Sequence, residues 1–216
     1  MGFEYNVSLK DRTSLRLGGV CEQFFIIRDE DQLPSLIGST KKVEKKILVL
    51  GGGSNLVIDD NPFQGLVIKI DIRGIEVVER FSKSVVVRVG AGEVWDDFVD
   101  YTVKNGYWGA ENMSLIPGTV GAIPVQNVSA YGQEASKIIL SVRVFDRVEE
   151  QFKVLTNKEC GFTWRHSIFN TQDKDRYIIV SVDFKLSTSC EPCLRRVELQ
   201  KAVQLMSLES SNALSP

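Results

Sequence analysis

The sequence of 216 residues contains little of what several common functional sites require. It has a single histidine, His166, and four cysteines, of which Cys190 and Cys193 have the spacing of a redox or zinc half-site. A structural zinc needs four nitrogen or sulfur ligands, and a second such pair is absent. The cysteines are therefore interpreted as free thiols in a reducing compartment, and no metal site is predicted.

An excess of one charge and long apolar runs are also lacking. Lys and Arg number 26 against 28 Asp and Glu, which gives a formal net charge of −2 and indicates no nucleic-acid or membrane-surface partner. No signal-like apolar stretch follows Met1, and no run approaches the length of a membrane span. We therefore expect a cytoplasmic protein. Its length and 43% hydrophobic content suit one large or two small globular domains.

A glycine-rich loop, residues 51–55 (Gly-Gly-Gly-Ser-Asn), follows an apolar strand but lacks the familiar nucleotide-binding motifs. A Walker loop needs Gly-Lys-Ser/Thr, and a dinucleotide fingerprint opens a helix, whereas residues 56–58 (Leu-Val-Ile) are predicted as strand. Consecutive glycines can still turn backbone N–H groups inward as a nest for phosphate. A tight turn without a ligand remains open as the alternative.

A second unusual loop spans residues 116–132. These seventeen residues contain three Gly, two Pro and a Gln-Asn pair, while the spacer residues are apolar or small. This composition predicts a buried, irregular backbone whose N–H and C=O groups must find partners. A ligand can supply some of them, because glycine permits close approach of the backbone. The two loops together suggest a site that wraps one large polyanionic ligand.

Arg165 and His166 lie in an aromatic and apolar segment, residues 162–169. A guanidinium there is either a structural ion pair or a fixed donor to a carboxylate or enolate, and the residues alone favour the ion pair. His166 is interpreted as an ordinary polar side chain, because no Ser/His/Asp arrangement can be assembled. Asp96 and Asp97 are predicted to lie on a solvated helix face.

Apolar periodicity predicts an α+β fold. Helices are expected over residues 29–38, 93–105 and 197–208, the second with Val94, Phe98, Tyr101 and Thr102 on one stripe. The capping box Thr-Asn-Lys-Glu at residues 156–159 should start a further short helix. Strands are expected over residues 23–28, 46–50, 66–70, 84–90, 140–147, 151–155 and 177–186.

Several motifs in sequence order resemble the UDP-N-acetylenolpyruvoylglucosamine reductases, flavoenzymes that complete the muramic acid precursor of peptidoglycan. The likeness is nearly continuous over residues 5–187. Its motifs are residues 13–19, 48–56, 89–92, 111–112, 116–132, 164–169 and 177–186. The resemblance implies a bipartite FAD-binding fold of the vanillyl-alcohol oxidase and p-cresol methylhydroxylase type. Its subdomains would cover residues 1–72 and 73–187, followed by a divergent or truncated tail, residues 188–216.

The resemblance also implies a reaction in which a hydride passes from NADPH to bound FAD and then to UDP-N-acetylglucosamine enolpyruvate, a small UDP-sugar. Arg165 matches the family's active-site arginine, where a fixed cation would stabilise the enolic charge. The oligomeric state is not implied. The cofactor-binding residues by this likeness are Gly51, Gly52, Gly53, Ser54, Asn55, Ile116, Pro117, Gly118, Gly121, Ala122, Gln126, Asn127, Ala130, Tyr131 and Ile179.

The sequence also departs from the family. A third domain, which grips the UDP-sugar and carries a proton-donating serine, and a glutamate near the C-terminus have no counterpart before Pro216. Ser129 and Arg196 stand where the family usually has glycine and tyrosine. We therefore expect an incomplete chain that does not reduce the UDP-sugar alone. The alternatives are a truncated, non-catalytic flavin-binding or scaffold protein and, less favoured because no covalent flavin attachment site is apparent, another flavin oxidase.

Overall fold

The computed structural model describes residues 2–41, 45–190 and 192–209. Its first sheet has the strand order β1-β2-β4-β3 and is formed by β1 (Glu4–Ser8), β2 (Val20–Ile27), β3 (Lys46–Leu50) and β4 (Phe63–Ile70). β4 pairs parallel with both β2 and β3, while β1 pairs antiparallel with β2. The carboxyl ends of β2, β3 and β4 therefore meet at one edge of this sheet.

The second sheet is antiparallel throughout, with the order β10-β9-β11-β6-β5. Its strands are β5 (Ile75–Arg80), β6 (Ser84–Gly90), β9 (Ile139–Asp146), β10 (Gln151–Thr156) and β11 (Tyr177–Ser187). Between β6 and β9 in the chain lies a small hairpin of β7 (Ser129–Ala130) and β8 (Gln133–Glu134). The two sheets come from successive parts of the sequence. The subdomain boundaries at residues 1–72 and 73–187 and the divergent tail remain predictions.

The described helices are α1 (Gln32–Lys41), which joins β2 to β3, α2 (Trp95–Lys104), which follows β6, and α3 (Val197–Glu209). Trp95 is fully buried, and its Nε1 donates a hydrogen bond to the Met113 carbonyl oxygen at 2.7 Å. Val94, which the sequence placed on the buried stripe, is instead the N-cap residue and 38% exposed. No described helix has both the length and the apolar character needed to cross a membrane.

One large hydrophobic core is shared by the two sheets. It includes Phe25 and Ile68 from the first sheet and Val87 and Phe184 from the second. A smaller cluster covers the opposite face of the first sheet: Leu9, Cys21, Phe24, Leu50 and Val67. The parallel strands β2 and β4 of the first sheet are thus largely buried on both faces, as expected for parallel strands.

Two local predictions near the first sheet are wrong. The helix predicted over residues 29–38 begins at Gln32, because Gln32 Oε1 accepts hydrogen bonds from the N–H groups of Arg28 and Asp29 at 3.1 and 3.3 Å and so forms the preceding turn. Residues 56–58 form no strand. Val57 is 79% exposed, whereas Leu56 and Ile58 pack against the smaller cluster without a pairing strand.

Further differences lie at strand ends. The capping-box bonds form, since Glu159 Oε2 accepts from the Thr156 N–H and hydroxyl at 2.8 and 2.6 Å, but the segment makes only a turn. Thr156 still belongs to β10, and Gly161 leaves the turn at a φ of +58°. The sequence missed β1 and β5, whose residues are mostly polar or exposed.

Candidate functional site

The glycine-rich loop, residues 51–55, leaves β3 at the edge where the parallel strands end. Ligands of open α/β sheets bind outside this edge. Gly53 has a φ of +69°, and a Cβ there would lie 2.1 Å from the Arg12 carbonyl oxygen, so a side chain does not fit. A Cβ on Gly52 would lie 2.8 Å from the Gly118 Cα. The glycine-rich loop therefore contacts the loop at residues 116–132 backbone to backbone.

Two side-chain hydrogen bonds join these loops. Ser54 Oγ donates to the Pro117 carbonyl oxygen at 3.0 Å, and Asn55 Nδ2 donates to Gln126 Oε1 at 3.0 Å. The structure thus brings together residues that the sequence assigned to one site from two separate motifs.

The beginning of the long loop is also anchored to the second sheet. The Trp95 N–H donates to the Gly118 carbonyl oxygen at 3.1 Å, and the Gly121 N–H donates to that of Ala91 at 2.9 Å. The Ala91 N–H donates in turn to the Val180 carbonyl oxygen on β11 at 2.9 Å. The neighbouring Ile116 and Ala122 are half-buried. This irregular segment is therefore held in place by hydrogen bonds to regular structure.

Several polar groups at the junction of the loops have no protein partner. Within the described residues, the backbone N–H groups of residues 52–55 donate to no acceptor, and the buried Thr119 Oγ1 has no hydrogen bond. A Cβ on Gly51 would lie 2.7 Å from this oxygen, so the hydroxyl lies against the glycine-rich loop. Buried polar atoms nearly always have partners, and neighbouring N–H groups suit phosphate oxygens. The residues present fit a phosphate-bearing ligand.

Lys69 on β4 is a residue of this site that the sequence reasoning missed. Its side chain lies on the same face of the sheet as Val67, by strand alternation, and its Nζ donates to the Gly51 carbonyl oxygen. Burial lowers the pKa of Lys69 from its ordinary value, and Asp71 opposes this shift. The available signal was a single charge in the apolar run Leu-Val-Ile-Lys-Ile, residues 66–70.

Asn127, predicted as a cofactor residue, has its side chain fully used within the protein. Its Nδ2 donates to Glu134 Oε1 at 2.5 Å and to the Thr163 carbonyl oxygen at 2.9 Å, while Oδ1 accepts from the Ser136 N–H at 3.0 Å. The residue is 1% exposed and has a φ of +44°. Asn127 therefore shapes the loop, and only its backbone is available to a ligand.

The remaining predicted cofactor residues occupy different settings. Ala130 pairs with Gln133 in the β7–β8 hairpin, and Tyr131, with a φ of +45°, exposes 59% of its surface. Ile179 is 7% exposed and lies opposite Val144 in the second sheet. Tyr131 is thus open to a ligand, while Ile179 belongs mainly to the packed sheet.

Arg165 lies at the tip of a tight turn. The backbones of Thr163 and His166 exchange hydrogen bonds at 3.0 and 3.1 Å, and Arg165 itself has a φ of +60°. Its side chain is exposed, and Nη2 contacts the Ser129 carbonyl oxygen at 3.5 Å. No carboxylate among the described residues pairs with it. The structural ion pair that the sequence favoured at first is therefore not observed.

This turn is attached to the long loop. Ser167 Oγ donates to the Val125 carbonyl oxygen at 2.6 Å, in addition to the bond between Asn127 and Thr163. The Arg165 guanidinium thus lies beside the β7–β8 hairpin. The backbone of Arg165 is fixed by the turn, and no described carboxylate pairs with its charge.

Two clefts elsewhere do not include the two loops. One of about 660 Å³ lies at the end of β2 and is lined by the ion-paired Arg88, Arg143, Glu30 and Asp183 among others. The other, about 390 Å³, adjoins α1 and Arg147. Neither cleft contains the unpaired polar groups at the junction of the two loops.

The described cysteines lie apart in two settings, buried and near the surface. Cys21 and Cys160 are buried, and burial raises the pKa of Cys160 to about 12, so its thiol is inert. Cys190 and Cys193 are free thiols nearer the surface. In the part of the chain that the structure describes, no group of three or more His, Cys, Asp or Glu side chains could hold a metal ion.

Comparison with known proteins adds to this geometry. A protein family described as an FAD binding domain matches residues 22–154. This match covers more than half of the chain and includes both the glycine-rich loop and the whole of the long one. The chain belongs to the FAD-binding domain family. FAD is thereby supported as the phosphate-bearing ligand.

The relatives of this FAD-binding domain confirm the predicted resemblance. The UDP-N-acetylenolpyruvoylglucosamine reductase of Thermobifida fusca is 43% identical over 187 residues, which are 87% of this chain and 52% of the relative. That of Neisseria meningitidis serogroup B is 40% identical over 203 residues, 94% of this chain and 58% of the relative. The chain thus spans about half the length of the curated relatives it matches.

Solved structures confirm the predicted fold class. The reductase from Thermus caldophilus superposes with a TM-score of 0.71 at 24% identity, over 100% of this chain and 72% of that one. An alkyldihydroxyacetonephosphate synthase reaches 0.57 at 18% identity, over 84% of this chain and 35% of that one. The fold is therefore α+β and of the vanillyl-alcohol oxidase type.

Proposed function

We propose that this domain binds FAD across the two joined loops and is the flavin-binding part of a UDP-N-acetylenolpyruvoylglucosamine reductase. The observation that carries the proposal is the junction at Gly52 and Gly118, where unpaired backbone N–H groups and the Thr119 hydroxyl meet. A long dinucleotide with two phosphates matches two donor-bearing loops better than a mononucleotide does. The relatives named above support the reductase assignment.

The contacts of the predicted cofactor residues support the following roles. Residues 51–55 and Thr119 would hold the pyrophosphate by backbone and hydroxyl donors. Residues 116–118, Gly121, Ala122 and Gln126 would form the wall beside the phosphates, and Ala130, Tyr131 and Ile179 would lie towards the flavin ring. The division into subdomains at residues 1–72 and 73–187 would place the cofactor between the two sheets.

For the complete enzyme we propose reduction of UDP-N-acetylglucosamine enolpyruvate with NADPH as the hydride donor, in the cytoplasm. FAD, when bound, supplies a centre that accepts a hydride and passes it on. Arg165 would stabilise the negative charge that develops on the enolpyruvyl group, because its guanidinium has no carboxylate partner and its backbone is fixed. The serine and glutamate of the family's chemistry are not assigned to residues of this chain.

Flavin content tests the cofactor proposal. We expect the purified chain to show visible flavin absorbance, or to acquire it with excess FAD, and to quench flavin fluorescence. Gly52→Asp should weaken binding strongly, since a side chain there meets the Gly118 backbone and adds an anion beside the phosphates. Asp97→Ala, on the exposed face of α2, is the matched control. A colourless chain that cannot be reconstituted would exclude the proposal for this domain.

NADPH oxidation under anaerobic conditions tests the chemistry. We expect no stimulation by the UDP-sugar for this chain alone, and stimulation once a relative's remaining residues follow the domain in one polypeptide. Flavin binding without turnover in that chimaera would favour the alternative of a non-catalytic flavin-binding protein. Substrate-dependent turnover by the chain alone would contradict the expectation of incompleteness.

A further inference from the structure

Lys69 presents an unusual electrostatic situation at the floor of the glycine-rich loop. Its ammonium group is partly buried on the face of the first sheet that carries Val67, and its observed contact is with an uncharged oxygen, the Gly51 carbonyl. Among the described residues no carboxylate forms an ion pair with Lys69. Burying a charge without a counter-charge is costly, so the protein alone leaves this lysine uncompensated.

The charges around Lys69 do not remove this excess. Asp71 is the acid whose field favours the ammonium, but its carboxylate is engaged by Arg73 at 2.7 Å and Arg28 at 3.6 Å. Arg12 and Arg73 both act against the ammonium. Arg12 stacks over the Phe24 ring at 5.0 Å and likewise has no described carboxylate partner. Lys69 and Arg12 are therefore two cations near the glycine-rich loop with no carboxylate partner among the described residues.

The hydrogen bond of Lys69 also fixes the direction of one peptide group. In a trans peptide the C=O of one residue and the N–H of the next point in opposite directions. Because the Gly51 oxygen points at Lys69, the Gly52 N–H points away from Lys69. This N–H, like those of residues 53–55, donates to no acceptor among the described residues. A cation on the carbonyl also polarises the peptide and makes its N–H a stronger donor.

We propose that Lys69 is a positioning residue for phosphate binding: it holds the Gly51–Gly52 peptide so that the N–H faces the ligand, and the ligand's negative charge compensates the buried ammonium. The inference rests on the proposed FAD site but assigns a function to a residue outside the loops. Its signature is opposite effects in the free and the bound protein. Replacing Lys69 with an uncharged residue should remove the free-energy cost of burying its ammonium group in the free chain. The same replacement should weaken the binding of anions.

The test compares Lys69→Met, Lys69→Arg and the wild type, with Lys104→Met as control, since Lys104 is 72% exposed on α2. Thermal unfolding of the free chain is measured first, followed by titration with FAD and with inorganic pyrophosphate. We expect Lys69→Met to unfold at the same or a higher temperature than wild type and to bind both probes about tenfold more weakly. Lys69→Arg, which keeps the charge, should retain affinity within about threefold.

Other results overturn the inference. Lower stability of free Lys69→Met, or failure to fold, would make Lys69 a structural residue, and unchanged affinity for both probes would remove its function in binding. If the wild type binds pyrophosphate but not FAD, the proposed cofactor is contradicted. The pyrophosphate affinities of the variants then still test the function of Lys69. A wild type that binds neither would contradict both proposals.

Discussion

Asp146, at the end of β9, and Thr119, at the junction of the two loops, both bury side-chain oxygens, but only those of Asp146 have partners within the described residues. Asp146 is fully buried, and its carboxylate accepts hydrogen bonds from the Val148 N–H at 2.9 Å, from Lys153 Nζ at 2.9 Å and from Arg176 Nη2 at 2.7 Å. At the loop junction, Thr119 Oγ1 has no partner among the described residues. The Asp146 carboxylate is satisfied within the chain, although Arg147 Nε beside it is buried without a hydrogen bond. The loop junction has the donors of a site that a ligand completes.

The two regions also use arginine differently. Arg176 contacts three carboxylates, those of Asp146, Glu149 and Asp173, whereas Arg165 contacts only a carbonyl oxygen at 3.5 Å within the described structure. Arg176 immediately precedes β11, and Arg165 lies in the turn between Thr163 and His166. A fully paired arginine stabilises a fold, while an unpaired one on a fixed turn remains available to an anionic substrate.

The largest expected effect comes from removing the satisfied carboxylate of Asp146. Asp146→Ala leaves Arg176 and Lys153 without their buried partner, and should lower the free energy of unfolding by about 3 kcal/mol. Urea denaturation measures this change. Asp173→Ala, which removes a more exposed partner of Arg176, should cost less than about 1 kcal/mol. Equal effects of the two variants would show that the buried carboxylate has no special weight.

The same carboxylate should govern stability in acid. Burial alone would raise the pKa of Asp146, but hydrogen bonds from Arg176 and Lys153 outweigh it and hold the pKa well below its ordinary value. Its contribution is therefore full above the unfolded-state pKa of about 3.9 and is lost as the pH falls towards the folded-state pKa. The stability difference between wild type and Asp146→Asn should shrink below about pH 4. A difference constant with pH would contradict the assignment.

The next effect concerns the unpaired arginine. In a complete relative that carries this domain, Arg165→Ala should lower turnover. The activation free energy should rise by about 3 kcal/mol, as expected for loss of a donor to developing charge. Flavin content and unfolding temperature should stay unchanged, because no described carboxylate depends on Arg165. Steady-state kinetics and absorbance together measure this. Loss of flavin or of stability would assign Arg165 to the fold instead.

A smaller effect sharpens the comparison at a single oxygen. Thr119→Val has nearly the same shape and removes the unpaired hydroxyl, so it should stabilise the free chain by about 1 kcal/mol. The same change should weaken FAD binding about fivefold, because a phosphate donor is lost. Thermal unfolding and fluorescence titration give the two values. A variant that loses stability in the free chain would indicate a partner for Thr119 within the protein.

The sequence predicted the strands with clear apolar alternation and the two loops that the structure joins. Periodicity was sufficient for β6 and β11, because their side chains face one core. It was not sufficient for β1 and β5, whose mostly exposed residues form strands only because a neighbouring strand offers hydrogen bonds. Residues 56–58 show the reverse case, since an apolar run without a pairing partner stays irregular.

The site shows the same division. The glycine spacing and the segment of Arg165 were visible in the sequence because glycine at a crowded or left-handed position leaves no alternative residue. The function proposed for Lys69 could not be predicted, since a lysine in a strand pattern does not show which oxygen atom it will contact in the fold. The sequence also did not predict that the Asn127 amide is fully hydrogen-bonded within the protein. Its partners Glu134, Ser136 and Thr163 depend on how the hairpin packs against a distant turn.

The sequence by itself therefore determined the α+β class, the order of the motifs and the backbone positions where only glycine fits, because these depend on local sterics and on the periodicity of apolar residues. The tertiary structure decided which polar groups are satisfied. Contacts formed on folding bring Lys153 and Arg176 to the Asp146 carboxylate. Among the described residues they bring no carboxylate into an ion pair with Lys69. Pairing depends on distances between folded segments, and no local pattern encodes those distances.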